Sequence, residues 1–97
     1  MNVESRRAIA VIRECVEADR FLVLPHFRQR MTQRGLVWPD VQAVLDDPSD
    51  VRAAEPDQFG RDKWIVSGKA SDALSVEIVC VLDVDQHGDL TVFITIY

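Results

Sequence analysis

The chain has 97 residues, with 11 Lys or Arg against 16 Asp or Glu, so its formal charge is -5. A chain of this length forms one domain with one modest core, which argues against a large internal cofactor cavity. The acidic total disfavours indiscriminate binding to nucleic acid, because such binding depends on neutralising phosphates. A local basic patch is still compatible with it, since salt confines the field of a charge to about 8 Å.

Neither a membrane anchor nor a disulfide framework is expected. No apolar run approaches the ~20 residues that a membrane-spanning helix needs. Glu4 and Arg7 are among the charges that interrupt the apolar run a signal peptide would have. Cys15 and Cys80 lie far apart in apolar stretches, which predicts two buried thiols rather than a disulfide or a zinc site. We therefore expect a cytoplasmic protein with no membrane partner.

The N-terminal segment predicts an amphipathic helix. Ile9 and Ile12 begin an apolar pattern with i, i+3, i+4 spacing, Asn2 stands where a capping residue is expected, and the helix ends near Ala18. The short apolar stretch 21–25, FLVLP, is then expected to be a brief extended segment at the edge of a sheet.

Two further helices are predicted before residue 50. Residues 26–35 form the second helix, with Gly35 as a left-handed C-terminal cap. Residues 39–47 form a short third helix, with Val41 and Val44 on its buried face.

The apolar pattern changes to the period of strands in the second half of the chain. The predicted strands are residues 51–55, 63–69, 74–84 and 91–97. The nearly unbroken apolar run within 74–84 predicts a central strand covered on both faces, and the last strand could form a sheet edge. The expected architecture is α+β in a single domain, residues 1–97, with two or three N-terminal helices on one face of a small three- to four-stranded antiparallel sheet.

The second predicted helix carries a basic stripe. From Arg20 to Trp38, with Arg20 included, the chain has four arginines and no acidic residue. At ~100° per residue, His26, Arg30 and Arg34 fall in one sector of the helix. Arginine offers fixed donors that fit phosphate oxygens, and histidine can exchange a proton near neutral pH. Together they could hold and cleave an RNA phosphodiester without a metal.

The composition alone favours a structural interpretation of the same stripe. His26 would cap the start of the helix by hydrogen bonding. Arg30 would form an ion pair with an acidic residue of the sheet, Glu77 or Asp83.

Two lysines of the predicted strand 63–69 add to the basic candidates. Strand alternation puts Lys63 and Lys69 on one face. Lys63, beside Arg61, could join His26 in an anion site if the second helix lies across this strand. Alternatively, both lysines are charges of an edge strand that prevent aggregation.

The segment PHFRQRMTQRGLVWPD resembles an uncharacterised bacterial family with a His-x-x-x-Arg-Met-x-x-Arg-Gly signature. The matching positions are His26, Arg30, Met31, Arg34, Gly35, Asp40, Val41, Gly60, Arg61, Lys63 and Trp64. Two positions depart from the signature: Phe27 replaces the usual small residue, and Trp38 replaces a common Ser or Thr cap. That family is similar to the RelE/MqsR-type toxins, which are small α+β ribonucleases of toxin–antitoxin pairs.

The resemblance implies a RelE-like fold and an endoribonuclease (mRNA interferase) activity. It also implies an antitoxin partner. Several members of the family are thought to pair with a zinc-ribbon antitoxin, so the metal would lie in the partner and this chain would hold no cofactor.

Two functional hypotheses follow. In the first, the protein cleaves RNA: His26 is the acid or base, Arg30 and Lys63 stabilise the phosphorane, and the RNA-binding residues are Arg34, Arg61 and Lys69. In the second, the protein is a non-catalytic module on the same fold that docks an acidic partner through Arg28, Arg30 and Arg34. The acidic net charge and the scarcity of basic residues and tyrosine on the sheet favour the second hypothesis.

Overall fold

The structure is a computed structural model that describes residues 1–97. Its elements are α1 (Val3–Glu17), β1 (Phe21–Val23), α2 (Pro25–Arg34), α3 (Trp38–Asp46), β2 (Asp50–Ala54), β3 (Asp62–Lys69), β4 (Ser75–Asp85) and β5 (Gly88–Ile96). The strands form one sheet in the order β1-β5-β4-β3-β2, and the three helices share one core with it. None of the helices is long and apolar enough to cross a membrane.

The α+β class is confirmed, but the sheet is five-stranded and mixed, where three or four antiparallel strands were expected. β1 pairs in parallel with β5, placing Leu22 opposite Val92, while the other neighbours pair antiparallel. After β1 the chain passes through α2 and α3 before it joins the opposite edge as β2. β5 is therefore interior rather than an edge strand, because the three-residue β1 covers its outer side.

The ends of α1 and α2 follow local rules. The Asn2 side chain accepts a hydrogen bond from the backbone N–H of Ser5 at 2.7 Å, as predicted for the cap of α1. α2 begins with Pro25 and ends before Gly35, whose φ of 67° is the predicted left-handed cap. The N–H of Leu36 then donates to the Met31 carbonyl at 2.8 Å, which closes the last turn.

The core lies between the helices and one face of the sheet. Ile12 of α1 and Val44 of α3 are fully buried in one cluster with Ile78 of β4. Cys15 and Cys80 are buried free thiols, as predicted. Burial, with a smaller contribution from Cys15, raises the pKa of the Cys80 thiol to about 12.

An aromatic cluster fixes α2 and α3 against the sheet; it consists of Phe21, Phe27, Trp38 and Phe93. The rings of Phe21 and Trp38 stack with centroids 5.1 Å apart. Phe93 of β5 meets Trp38 edge-on at 5.5 Å and Phe27 at the same distance. Four elements of the fold thus converge on one ring, and the position of α2 depends on that contact.

Asp40 ties the start of α3 to the loop between β3 and β4. Its carboxylate accepts hydrogen bonds from the Ser71 hydroxyl and from the Val37 N–H at 2.9 Å. The bond from Ser71, followed by that from Val37, lowers the pKa of Asp40. A carboxylate with a lowered folded-state pKa stabilises the fold above its unfolded pKa of about 4, and this stabilisation is lost as pH falls through the lowered value.

Asp40→Asn is expected to lower the melting temperature at pH 7 by several degrees, because the amide cannot accept both bonds as a charged group does. The gap to the wild type should shrink as pH falls below about 4. Thermal unfolding at a series of pH values measures this. Asp46→Asn is the control, since this exposed side chain makes no hydrogen bond. A gap that is independent of pH would contradict the assignment.

Candidate nucleic-acid interface

α2 lies across the end of the sheet where β5 finishes and β4 begins. At the start of the helix, the N–H of Leu24 donates to the Phe93 carbonyl at 3.1 Å. In the middle, Arg30 Nε donates to the Ile96 carbonyl at 3.2 Å. At its last residue, Arg34 Nη2 donates to the Ser75 carbonyl at 3.2 Å. Because these bonds hold α2 along its whole length, its basic side chains have a defined position on the sheet.

Arg30 makes more contacts than the other cations of this helix. In addition to the bond from Nε, its Nη1 donates to Gln33 Oε1 at 3.1 Å. Its guanidinium carbon lies 5.7 Å from the centre of the Tyr97 ring, within the range of a cation–π interaction. Tyr97 is 54% exposed. Arg30 therefore stands beside an aromatic ring that solvent and ligands can reach.

The ion pair proposed for Arg30 as a structural role is wrong. Glu77 instead accepts from Arg52 at 2.7 Å, and Asp83 accepts from Arg61 at 3.2 Å. No carboxylate forms an ion pair with Arg30. Its charge is thus not neutralised within the protein, which leaves it available to an external anion.

His26 does not cap the helix. The capping position belongs to Leu24, whose side chain makes no capping bond. The imidazole of His26 is exposed, and no side-chain hydrogen bond orients it. His26 and Arg30 are helical neighbours at i, i+4, with Cβ atoms about 6 Å apart. A phosphate bound at Arg30 would therefore lie within reach of the histidine.

Arg34 and Lys69 both neighbour Ser75. Arg34 bonds to the Ser75 carbonyl, and Lys69 is paired opposite Ser75 in the β3–β4 ladder. Neither cation forms an ion pair with a carboxylate. With the residues of the preceding paragraphs they lie at the same end of the sheet, and this group is named here the basic rim: His26, Arg30, Arg34, Lys69 and Tyr97.

Lys63 lies outside the basic rim. It pairs with Val81, whereas the backbone of Tyr97 bonds to Glu77, four residues earlier on β4. Four residues of strand span about 13 Å. The structure thus keeps Lys63 apart from Arg30, although strand alternation placed both lysines on one face as predicted. β3 is an interior strand, so the interpretation of these lysines as edge-strand charges is wrong.

Arg61 also lies outside the basic rim, and its guanidinium is bonded to two carboxylates. Its Nε donates to Asp57 at 2.7 Å and its Nη1 to Asp83 at 3.2 Å. The hydrogen bond to Asp57 is the largest cause that raises the pKa of Arg61. Two acidic partners offset its charge, so Arg61 holds the loop between β2 and β3 rather than an external phosphate.

Two contacts of Arg30, with Gln33 and with Tyr97, were not predicted from the sequence. Gln33 stands at i+3 from Arg30, and this spacing is a usable signal for a side-chain contact on a helix. Tyr97 is separated from Arg30 by 66 further residues of chain, and only the docking of α2 on the end of β5 brings the two together. The structure has no group of three or more His, Cys, Asp or Glu side chains that could hold a metal ion.

Comparison with known proteins gives one match. The model of a family described as a domain of unknown function, DUF4258, matches residues 23–97. No curated protein and no solved structure matches the chain. The matched residues include the whole basic rim and leave out α1.

Proposed function

The chain belongs to the DUF4258 family, and we propose that this member is a toxin-like component of a type II toxin–antitoxin pair. In this proposal it is a metal-independent mRNA endoribonuclease that binds single-stranded RNA on the basic rim. A cognate antitoxin, of the zinc-ribbon type that the sequence resemblance implies, would be its protein partner.

The observation that supports RNA binding is the combination of three cations without acidic partners and an exposed aromatic ring. Arginine and lysine neutralise successive phosphates, and an aromatic ring offers a stacking surface to a base. Single-stranded RNA presents both groups at once, since its bases are not confined in a duplex. Arg30 is pre-positioned by Ile96 and Gln33, so little side-chain entropy is lost when a phosphate binds.

The chemistry assigned to the site is transfer of the phosphodiester within the RNA. The 2′-hydroxyl attacks the adjacent phosphorus, and neutral His26 takes the hydroxyl proton. Arg30, one helical turn away, stabilises the added negative charge on the phosphoryl oxygens. The bond to the 5′-oxygen breaks, and this oxygen takes a proton from water. His26 returns its proton to the hydroxide that is left, which restores the site. The products are a 2′,3′-cyclic phosphate and a 5′-hydroxyl.

The second candidate is a binding module without catalysis, which docks an acidic partner through Arg28, Arg30 and Arg34. Two observations favour it: no hydrogen bond orients the His26 ring, and Lys63 lies far from Arg30. In this case the basic rim would bind carboxylates or phosphates but would cleave nothing.

His26→Ala separates the two candidates. We expect the variant to cleave single-stranded RNA about 10²- to 10⁴-fold more slowly than the wild type, the usual contribution of one acid–base residue. RNA binding and thermal unfolding should not change, because the side chain is exposed and unbonded. Cleavage is measured in the presence of a chelator, and growth arrest after induced expression in a bacterial host is scored in parallel.

His87→Ala is the matched control, since His87 is an exposed histidine on the turn between β4 and β5. It should cleave as the wild type does. If the His26→Ala protein cleaves RNA as fast as the wild type, His26 is not the base of the reaction. A folded wild type that binds RNA without cutting it would support the second candidate.

A further inference from the structure

A groove with a volume of about 610 Å³ opens between α1 and the sheet, at the end opposite to the basic rim. The apolar residues that line it include Ala8, Val11, Ala53, Trp64, Leu82 and Val84. Val84 is 69% exposed, although it stands in this concave surface. A concave site with an apolar floor is typical of a surface that binds a ligand or partner.

Carboxylates outnumber cations around the groove. Its lining includes four acidic residues and two basic ones. Asp83 is bonded to Arg61, but Glu4, Asp62 and Asp89 form no ion pair. The two lining cations, Arg7 and Lys63, are also without an ion pair, so three unpaired carboxylates stand against two unpaired cations. A second acid–base pair near this end, Arg20 with Asp85, is likewise satisfied within the protein. The three unpaired carboxylates therefore face the solvent at the margin of an apolar floor.

We propose that this groove binds a cationic amphipathic segment of a partner protein. Aliphatic side chains of the segment would cover Val84 and Leu82, and its lysines or arginines would approach Glu4, Asp62 and Asp89. Charge complementarity selects this occupant, because it suppresses partners of like charge and orients those of opposite charge. RNA is disfavoured here for the same reason.

The groove is independent of the proposed ribonuclease site. α1 contributes Glu4, Arg7, Ala8 and Val11 to one wall, and these residues precede the residues 23–97 that the family model matches. The basic rim lies at the other end of β4, where Ser75 begins the strand. A partner in the groove would therefore leave the cations of α2 uncovered.

The experiment titrates the full chain with two peptides of equal length, one of alternating leucine and lysine and one of alternating leucine and glutamate. We expect the lysine peptide to bind, with an affinity that falls as salt rises, and the glutamate peptide not to bind. Asp62→Asn combined with Asp89→Asn should weaken binding about tenfold, the upper range for two exposed ion pairs. Val84→Ser should weaken it severalfold.

Matched controls lie elsewhere on the surface. Asp46→Asn combined with Asp47→Asn removes two exposed acids outside this groove, and Val37→Ser removes a valine that is 59% exposed. Both should bind the lysine peptide as the wild type does, and thermal unfolding should show that every variant is folded.

Three results would overturn the proposal. The first is equal weakening by the control acids, which would mean diffuse attraction to an acidic protein. The second is unchanged binding by Val84→Ser. The third is self-association of the wild type that Asp62→Asn with Asp89→Asn abolishes, since the occupant would then be a second copy. RNA binding and cleavage, measured on the same variants, report separately on the basic rim.

Discussion

Arg30→Ala is expected to weaken the binding of single-stranded RNA by about 10- to 100-fold, since hydrogen bonds to a charged group are worth about 1.5–3 kcal/mol. The guanidinium is held by Ile96 and Gln33 and lies against Tyr97, so its loss removes both a phosphate donor and the support of the ring. Fluorescence titration of a labelled oligonucleotide at several salt concentrations measures the effect. The salt slope should fall by about 0.7 for one lost phosphate contact.

Arg28→Ala is the matched control for that measurement. Arg28 is on the same helix but is exposed, and its side chain makes no hydrogen bond or ion pair. Losing it should change affinity only slightly. Arg30→Lys should give an intermediate loss, because lysine keeps the charge but lacks the planar fork and the stacking contact. Equal effects of Arg28→Ala and Arg30→Ala would show that RNA affinity depends only on net charge. The basic rim would then not be a specific binding site.

The part of the site that lies on one helix was predictable from the sequence. Helical period alone places His26, Arg30 and Arg34 in one sector, and two of these side chains do bond to the same end of the sheet. The start of α2 was expected at His26 and lies one residue earlier, at Pro25. Its C-terminal end was predictable for a related reason. Caps and glycine turns are decided by a few neighbouring residues, so Gly35 closes the helix regardless of the rest of the fold.

Relations between distant segments were not predictable in the same way. Alternation put Lys63 and Lys69 on one face, but their distance from α2 depends on where that helix crosses the sheet. It crosses at the Lys69 end, because Leu24 bonds to Phe93 and the helix then runs toward Ser75. Lys63 therefore lies at the other end of β3, beside a groove that no local sequence pattern predicted.

The expected ion pair of Arg30 failed for a similar reason. Glu77 was a possible partner of Arg30, but the pairing of β2 with β3 places Arg52 beside it, and Arg52 forms the ion pair instead. The register of β2 follows from long-range pairing and from α1, whose Ser5 hydroxyl donates to the Val51 carbonyl at 2.6 Å. A charge pattern along one helix contains no information about that competitor.

Two departures from the sequence signature have a common structural explanation. Phe27 stands where a small residue is usual, and Trp38 where a capping Ser or Thr is common. In the structure both rings contact Phe93, and Trp38 also stacks on Phe21 of β1. Both larger side chains thus pack against the same residue of β5. The capping position of α3 is Val37 rather than Trp38, and the Val37 side chain makes no capping bond. At this end of the helix the Asp40 carboxylate accepts a hydrogen bond from the Val37 N–H.

This cluster makes Phe27→Ala the substitution with the largest expected cost in stability. Phe27 is fully buried and is the one fully buried residue of α2. Truncating a buried phenylalanine costs about 3–5 kcal/mol in the free energy of unfolding, because it loses apolar burial and leaves a cavity. Urea unfolding should show a midpoint at lower urea concentration. The slope should not change, because the surface area exposed on unfolding stays the same.

Phe27→Ala should affect RNA binding only through folding, unlike the substitutions on the basic rim. Phe27 contacts no external ligand, but α2 presents Arg30 to RNA only while the helix is packed on Phe93. We therefore expect Phe27→Ala to lose RNA binding in step with its unfolded fraction and to recover it at low temperature or with added osmolyte. Phe27→Leu should cost less, because it refills most of the cavity, and Val37→Ala, on the exposed surface, should change stability by at most about 0.5 kcal/mol. A Phe27→Ala protein as stable as the wild type would mean that the aromatic cluster does not hold α2 in place.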